Sequence, residues 1–335
     1  MPSTARTVTA LAALIFCLPT VRAEVCTTQA KMAPALRDTV AASALSLATA
    51  VQANDAPKVR SATIAEYASN FTNTEFLIRS TSSRIAGESL AVTSVFSLDA
   101  SARKPGETAD AEFTCPLSGT ALEADFSIPG LPPGNYAFAM VEASGGPQPW
   151  LLSFLMRNDG GTWKMAGFYP HARTAAGHDG LWYWNQARAA VKNKQPWAAF
   201  LLYAEAYALL RPAGFMDTTH LDKLQNEQRT ATPPELSNGI SKDTPLVVQD
   251  ATGEFHFTAL TTDRSDDGTR VNIMLHMPSN STDAAATRVR NEAAAAAFVK
   301  AHPEVRKDFQ GVWVFAETDT QQPFVMTQRD MSQIP

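Results

Sequence analysis

Apolar positions along this chain keep a helical rhythm at first and switch to alternation near residue 90. Leu36, Val40, Ala44, Leu47 and Val51 fall on one helical face, and Asn54-Asp55-Ala56-Pro57 interrupts the pattern. The spacing predicts helix over 33–68, with a second helix from Val59 to Tyr67. Glu75 to Ile78 reads as a short strand and Ser82 to Glu88 as a helical turn. Six short runs rich in Val, Phe, Trp and Tyr follow: 90–98, 111–115, 123–128, 136–141, 150–156 and 163–168. Asn158-Asp159-Gly160-Gly161 sits between the last two and predicts a hairpin.

Beyond Pro170 the helical period returns. Leu181 to Lys192 and Pro196 to Leu210 predict two helices joined by Asn193-Lys194-Gln195. The second is apolar nearly all round, which predicts burial. Pro196 suits a first helical turn, and Pro212 stops the helix. Thr230 to Pro245 is polar and contains prolines, and reads as a linker. Strands are predicted from 246, over 254–261 and 270–277, and over 312–316 and 324–327. A long alanine-rich helix spans 283–301, capped by Thr282 or Asp283. The fold class this predicts is α+β: N-terminal helices on a curved antiparallel sheet, a helical hairpin, then a small β-β-α-β-β domain. The expected divisions are 1–23, 24–172, 173–229, a linker over 230–245, and 246–335.

The first 23 residues stand apart. Arg6 precedes the apolar run Val8–Leu18, Pro19 breaks it, and Val21-Arg22-Ala23 offers small residues for cleavage. That is the layout of a secretory signal peptide. The run is shorter than the roughly 20 apolar residues that span a bilayer. Export to a periplasmic or extracellular space is therefore expected, with no stable membrane insertion after cleavage. The segment holds Arg6 and Arg22 and no acid, so its removal takes the formal net charge from −5 to −7. An acidic chain without a basic block is a poor match to nucleic acid. Cys17 lies inside the leader behind bulky Ile15-Phe16, which disfavours lipid attachment. Cys26 and Cys115 remain, and an oxidising compartment favours their pairing. Two separate thiols are the alternative.

The helical pair broken at Ala53-Asn54-Asp55, followed by the strand pair "PWLLSFLMRNDGGTWKMAGFYP" with Trp163 and Gly167-Phe168, resembles the NTF2-like (cystatin-type cone) superfamily over about residues 33–172. The resemblance implies a cone of sheet and helix that can hold a pocket. It does not choose between catalysis and binding. Over about 181–212, Tyr183, Ala187, Ala199, Tyr203 and Ala206 resemble the packing positions of a single tetratricopeptide unit. No second copy follows, and one unit cannot bury its own face. A helical hairpin packed on a neighbouring domain is the plainer reading. The C-terminal segment resembles no family.

Candidate chemistry is sparse. The chain carries no Gly-x-Ser-x-Gly elbow, phosphate loop, dinucleotide fingerprint or His-Glu-x-x-His pattern. Cofactors and metals are not expected. His256 and His276 lie at similar distances from the Asp266-Asp267-Gly268 turn and could be cross-strand neighbours, with Glu254 on the face of His256. Alternation aligns Tyr136, Phe138, Met140 and Glu142, and likewise Trp150, Leu152, Phe154 and Met156, with Trp163, Met165 and Tyr169 on one face of the last strand. If these faces look inward, Tyr136, Phe138, Glu142, Trp150 and Trp163 line an aromatic pocket with one carboxylate. Plain core is the alternative. Trp184 and Trp197 offer a candidate interaction face, and Trp313 reads as core. The function read from these features is an exported, non-enzymatic binding or interaction protein for a small molecule or an envelope protein. The alternative is a secreted hydrolase or isomerase using the cone pocket.

Overall fold

The structure, a computed structural model, describes residues 24–335 except 118 and 319–322. The leader and Cys17 lie outside the described residues. The protein is α+β, and none of its sheets closes into a barrel.

Five strands form the first sheet, in the order β1-β2-β5-β6-β7 and antiparallel throughout: β1 (Val25–Thr28), β2 (Ser89–Asp99), β5 (Asn135–Ser144), β6 (Trp150–Asp159) and β7 (Thr162–Ala172). Four helices precede β2: α1 (Pro34–Gln52), α2 (Ala56–Ser61), α3 (Ala65–Ala68) and α4 (Thr72–Ser82). Pro34 opens α1, where its missing N–H has no cost. Asp55 caps α2 by accepting from the Lys58 N–H. These helices cover one face of the sheet. Val40, Leu47, Val51 and Ile78 meet Ala137, Ala139, Val141, Leu152, Phe154 and Met156 there. The expected strand at 75–78 is in fact the middle of α4. Thr74, Ile78 and Thr81 recur at helical spacing and are buried, while Phe76 is 66 % exposed. A three-residue apolar run does not distinguish strand from helix.

The other face is covered by a second, three-stranded sheet in the order β10-β4-β3: β3 (Ala111–Pro116), β4 (Glu123–Ile128) and β10 (Met216–Thr218). Phe96, Leu98, Phe113, Phe126, Tyr136, Phe138, Leu151 and Leu155 fill the space between the sheets. Phe126 meets Phe96 and Phe138 edge to face, with ring centroids 5.3 and 5.4 Å apart. A disulfide joins Cys26 of β1 to Cys115 of β3, with Cα atoms 5.2 Å apart, and so ties the two sheets together.

A small ladder, β8 (Thr174–Ala175) with β9 (His178–Asp179), leads into α5 (Gly180–Lys192) and α6 (Pro196–Leu210), whose bounds match those expected almost to the residue. Asp179 caps α5 through the Trp182 N–H. α7 (Thr219–Ala231), with Thr218 as its cap, was not anticipated. It carries only two buried apolar residues, Leu221 and Leu224, in an otherwise polar run. The stretch taken for a linker is partly this helix, and Leu236 is buried in the core.

The C-terminal part begins with a hairpin of β11 (Leu246–Asp250) and β12 (Gly253–Phe257). A sheet ordered β13-β14-β15-β16 follows: β13 (Ala259–Arg264), β14 (Val271–Pro278), β15 (Gly311–Glu317) and β16 (Pro323–Asp330). β14 and β15 are parallel, and α8 (Ala284–Ala301) is the crossover that such a pair requires. Asp283 caps α8. The run expected as one strand over 254–261 breaks at Thr258 into β12 and β13. His256 therefore lies across from Val247, and His276 across from Ala259. Each histidine instead meets its own carboxylate, His256 with Glu254 at 2.5 Å and His276 with Glu317 at 2.6 Å. Trp313 is half-exposed on the sheet face away from α8, not core.

One apolar core joins the α5–α6 hairpin to this C-terminal sheet. Trp197 meets Phe298 of α8 edge to face at 5.9 Å and stacks on His302 at 3.8 Å. The hairpin thus buries its apolar face on its neighbour, the plainer of the two expectations for a lone helical pair.

The disulfide gives a direct test. The denatured, unreduced mature protein is expected to show no titratable thiol. Replacing both Cys26 and Cys115 with Ser is expected to cost about 2–5 kcal/mol in urea unfolding, because the bond closes a long loop. Reactive thiols at both Cys26 and Cys115 in the native protein would contradict the arrangement.

Candidate functional site

The aromatic pocket expected from alternation is not assembled. Tyr136 and Phe138 point into the space between the two sheets, where Tyr136 is 1 % and Phe138 0 % exposed. The Tyr136 hydroxyl donates to the Pro132 carbonyl at 3.0 Å. Trp163 points to the opposite, helix-covered face. The register explains the error. Leu152 and Phe154 pair with Val141 and Ala139, so the large residues of β6 share a face with the odd positions of β5, not with Tyr136 and Phe138. A bulge at Ala166 then turns Tyr169 to the face opposite Trp163 and Met165. Glu142 is half-buried far from these rings. It lines a hollow of about 260 Å³ with Arg173, Asp179 and Leu181. Trp150 is half-buried at a separate cleft.

Trp184 and Trp197 do not form an exposed face either. They are 6 % and 4 % exposed, and Trp197 is wholly committed to the core with α8. Trp184, however, lines a hollow at the surface. α5 and α7 lie side by side over α6, and two hollows between them, about 760 and 420 Å³, share Arg188 and Lys223 and together make a trough; Trp184 lines the smaller and Glu227 the larger. Leu181 stands at one end and Val191 at the other, 55 % and 44 % exposed.

The trough is organised around one carboxylate. Glu227 of α7 accepts hydrogen bonds from Trp184 Nε1 at 2.8 Å, from Arg188 Nε and Nη2 at 2.7 and 2.8 Å, and from the Tyr203 hydroxyl at 3.3 Å. The Arg188 guanidinium also lies 4.4 Å over the Trp184 ring. One acid thus joins all three helices and fixes two planar groups on the trough floor. The bidentate Arg188 contact, with the indole and phenol donors, holds Glu227 down to about 2. Burial, with the Glu227 charge adding to it, pushes the Tyr203 phenol up to about 12. Glu227 is therefore ionised, with three donors on Oε2 and one on Oε1. Lys192 and Lys223 line the rim with one acid, Asp222.

Sequence reasoning missed this cluster because α7 was not recognised. Thr218 before a Leu221–Leu224 pair was the available signal, and Glu227 falls one turn beyond it. Among the described residues, no group of three or more His, Cys, Asp or Glu is placed to hold a metal ion. Nor is any helix there long and apolar enough to cross a membrane. Comparison with family models, with curated proteins and with solved structures finds no match to this chain.

The pH dependence follows from the depressed Glu227. Its contribution to stability is fully present above about pH 4.5, the ordinary glutamate value, and is lost as pH falls toward about 2. Urea midpoints measured from pH 6 to pH 2 are expected to fall less steeply below pH 4.5 in Glu227→Gln than in the unmodified protein. Parallel acid limbs in the two proteins would contradict the assigned cluster.

Proposed function

We propose that this chain is an exported, non-catalytic binding protein, working in the periplasm or outside the cell, that takes an extended polypeptide segment of an envelope partner in the trough between α5 and α7. The observation that carries this reading is the state of Glu227. This acid, which lines the hollow of about 760 Å³, takes four hydrogen bonds and is ionised, which suits a rigid floor rather than proton transfer. The length of the trough agrees with the occupant. Leu181 to Val191 spans about 15 Å of helix, matching roughly four or five residues of extended chain. Exposed Leu181 and Val191 offer apolar seats at its ends, and Lys192 and Lys223 against Asp222 favour a segment with an acidic residue.

The likeness of 181–212 to a tetratricopeptide unit supports a helical peptide-binding surface. The NTF2-like reading of 33–172 fits helices on one face of a curved sheet. Export is supported by the leader pattern and by the Cys26–Cys115 disulfide. The cone-pocket enzyme loses support, since Tyr136 and Phe138 lie on one sheet face and Trp163 on the other, with Trp150 and Glu142 at two separate hollows.

Selection of a random displayed peptide library on the purified mature protein tests the reading. Enriched peptides are expected to bind Val191→Glu about tenfold more weakly or worse, since the new charge would be buried under an apolar side chain. Failure to enrich any sequence, or equal binding to the variant, would contradict it.

A further inference from the structure

A second depression, about 400 Å³, lies where the two halves of the molecule meet. α4 contributes Phe76 and Leu77, and the turn after it Arg84. Trp150 begins β6, Pro170 and His171 end β7, and Arg264 ends β13. Three side-chain atoms of these residues are buried without a hydrogen-bond partner: Trp150 Nε1, His171 Nε2 and Arg264 Nη1. Less than 1 Å² of each reaches solvent. Buried polar groups are nearly always paired, and each exception calls for an explanation. Here three exceptions belong to the lining of one cleft.

The chemistry of these atoms restricts what could pair with them. An indole N–H and a guanidinium N–H can only donate, so the group they meet must accept. Arg264 adds a positive charge that Glu205 offsets only partly. Its Nε stands 3.7 Å from Glu205 Oε1, while Glu205 Oε2 is engaged by the Thr262 hydroxyl at 2.8 Å. The acids that line the cleft, Asp263 and Asp266, are exposed, and Asp266 faces Arg84 at 3.8 Å. Burial and the neighbouring Arg173 and Arg264 hold His171 down to about 4, so its ring is neutral and can pair with either a donor or an acceptor. The rest of the lining is mixed, with Ser80, Thr81, Gln148 and Ser265 beside an apolar group. Phe76, 66 % exposed, stands with Leu77, Trp150 and Pro170.

We infer that this cleft is a binding site for a compact carboxylate with an apolar or aromatic body, its oxygens meeting Arg264 Nη1 and Trp150 Nε1 and its body lying among Phe76, Leu77 and Pro170. The volume suits a molecule of about amino-acid size, within the usual range of small-ligand sites. The exposed Phe76 side chain, at the mouth of the cleft, is the one free to shift to admit it. This site is separate from the α5–α7 trough and does not depend on it.

Calorimetry and ¹⁹F NMR on the mature protein, with 4-fluorobenzoate as probe and 4-fluorobenzyl alcohol as control, test the inference. Saturable binding of the carboxylate is expected, at least about tenfold tighter than the alcohol. Trp150→Phe keeps the ring and removes the donor, and is expected to weaken binding about threefold or more. Arg264→Lys is expected to weaken it about tenfold or more. Phe76→Ala, an exposed position that does not threaten folding, is expected to weaken binding as well, while Val191→Glu leaves it unchanged. No saturable binding, equal affinity for the alcohol, or affinity indifferent to Trp150→Phe and Phe76→Ala would overturn the site.

Discussion

The rest of the structure depends on a sheet whose central strands are buried on both faces. β5 carries small residues, Ala137, Ala139, Val141 and Ala143, toward the helices, and large ones, Tyr136, Phe138 and Met140, toward the second sheet. Small residues on one side let α1 and α4 lie close. Large residues on the other fill the gap to β3 and β4. Both faces of the sheet are thus packed with buried side chains. The Cys26–Cys115 bond reinforces this by tying the covering sheet to the edge strand β1. The hollows proposed for binding lie instead between α5 and α7 and at the seam.

A second constraint sets the C-terminal half. α6 is apolar around its whole circumference, so no single partner can cover it. α5 and α7 cover two sides, and the C-terminal sheet with α8 covers another. The interlock at Trp197, Phe298 and His302 makes hairpin and C-terminal sheet one cooperative body. The trough is the place where α5 and α7 part over α6. Glu227 links them there by hydrogen bonds, above the apolar core to which Trp184 and Leu224 both belong.

Much of this was legible in the amino-acid order, and the failures have physical causes. Long periodic segments were placed well. α5, α6 and α8 follow from apolar spacing and from Pro196 and Asp283 at their starts, and β3, β4, β6 and β7 follow from alternation between turns. What alternation cannot supply is the pairing register and the bulge at Ala166, and those decide which faces of β5, β6 and β7 coincide. A pocket inferred from parity alone therefore joined Tyr136 and Phe138 to Trp150 and Trp163, which belong to different cores. α7 escaped because its helical signal is a cap and two leucines in a polar run. Without α7, Trp184 could be read only as a packing residue of the hairpin or as part of an interaction face. The seam cleft was beyond reach, since Phe76, Trp150, His171 and Arg264 come from four elements with no local sequence relation.

The proposal that α5 and α7 form the binding surface is tested most directly by hydrogen–deuterium exchange, with and without a peptide selected on the protein. The account predicts slowed exchange in residues 181–192 and 219–231, with the strands of the N-terminal sheet unchanged. Protection confined to the N-terminal sheet or to the exposed face of β14 and β15, with α5 and α7 unaffected, would contradict it.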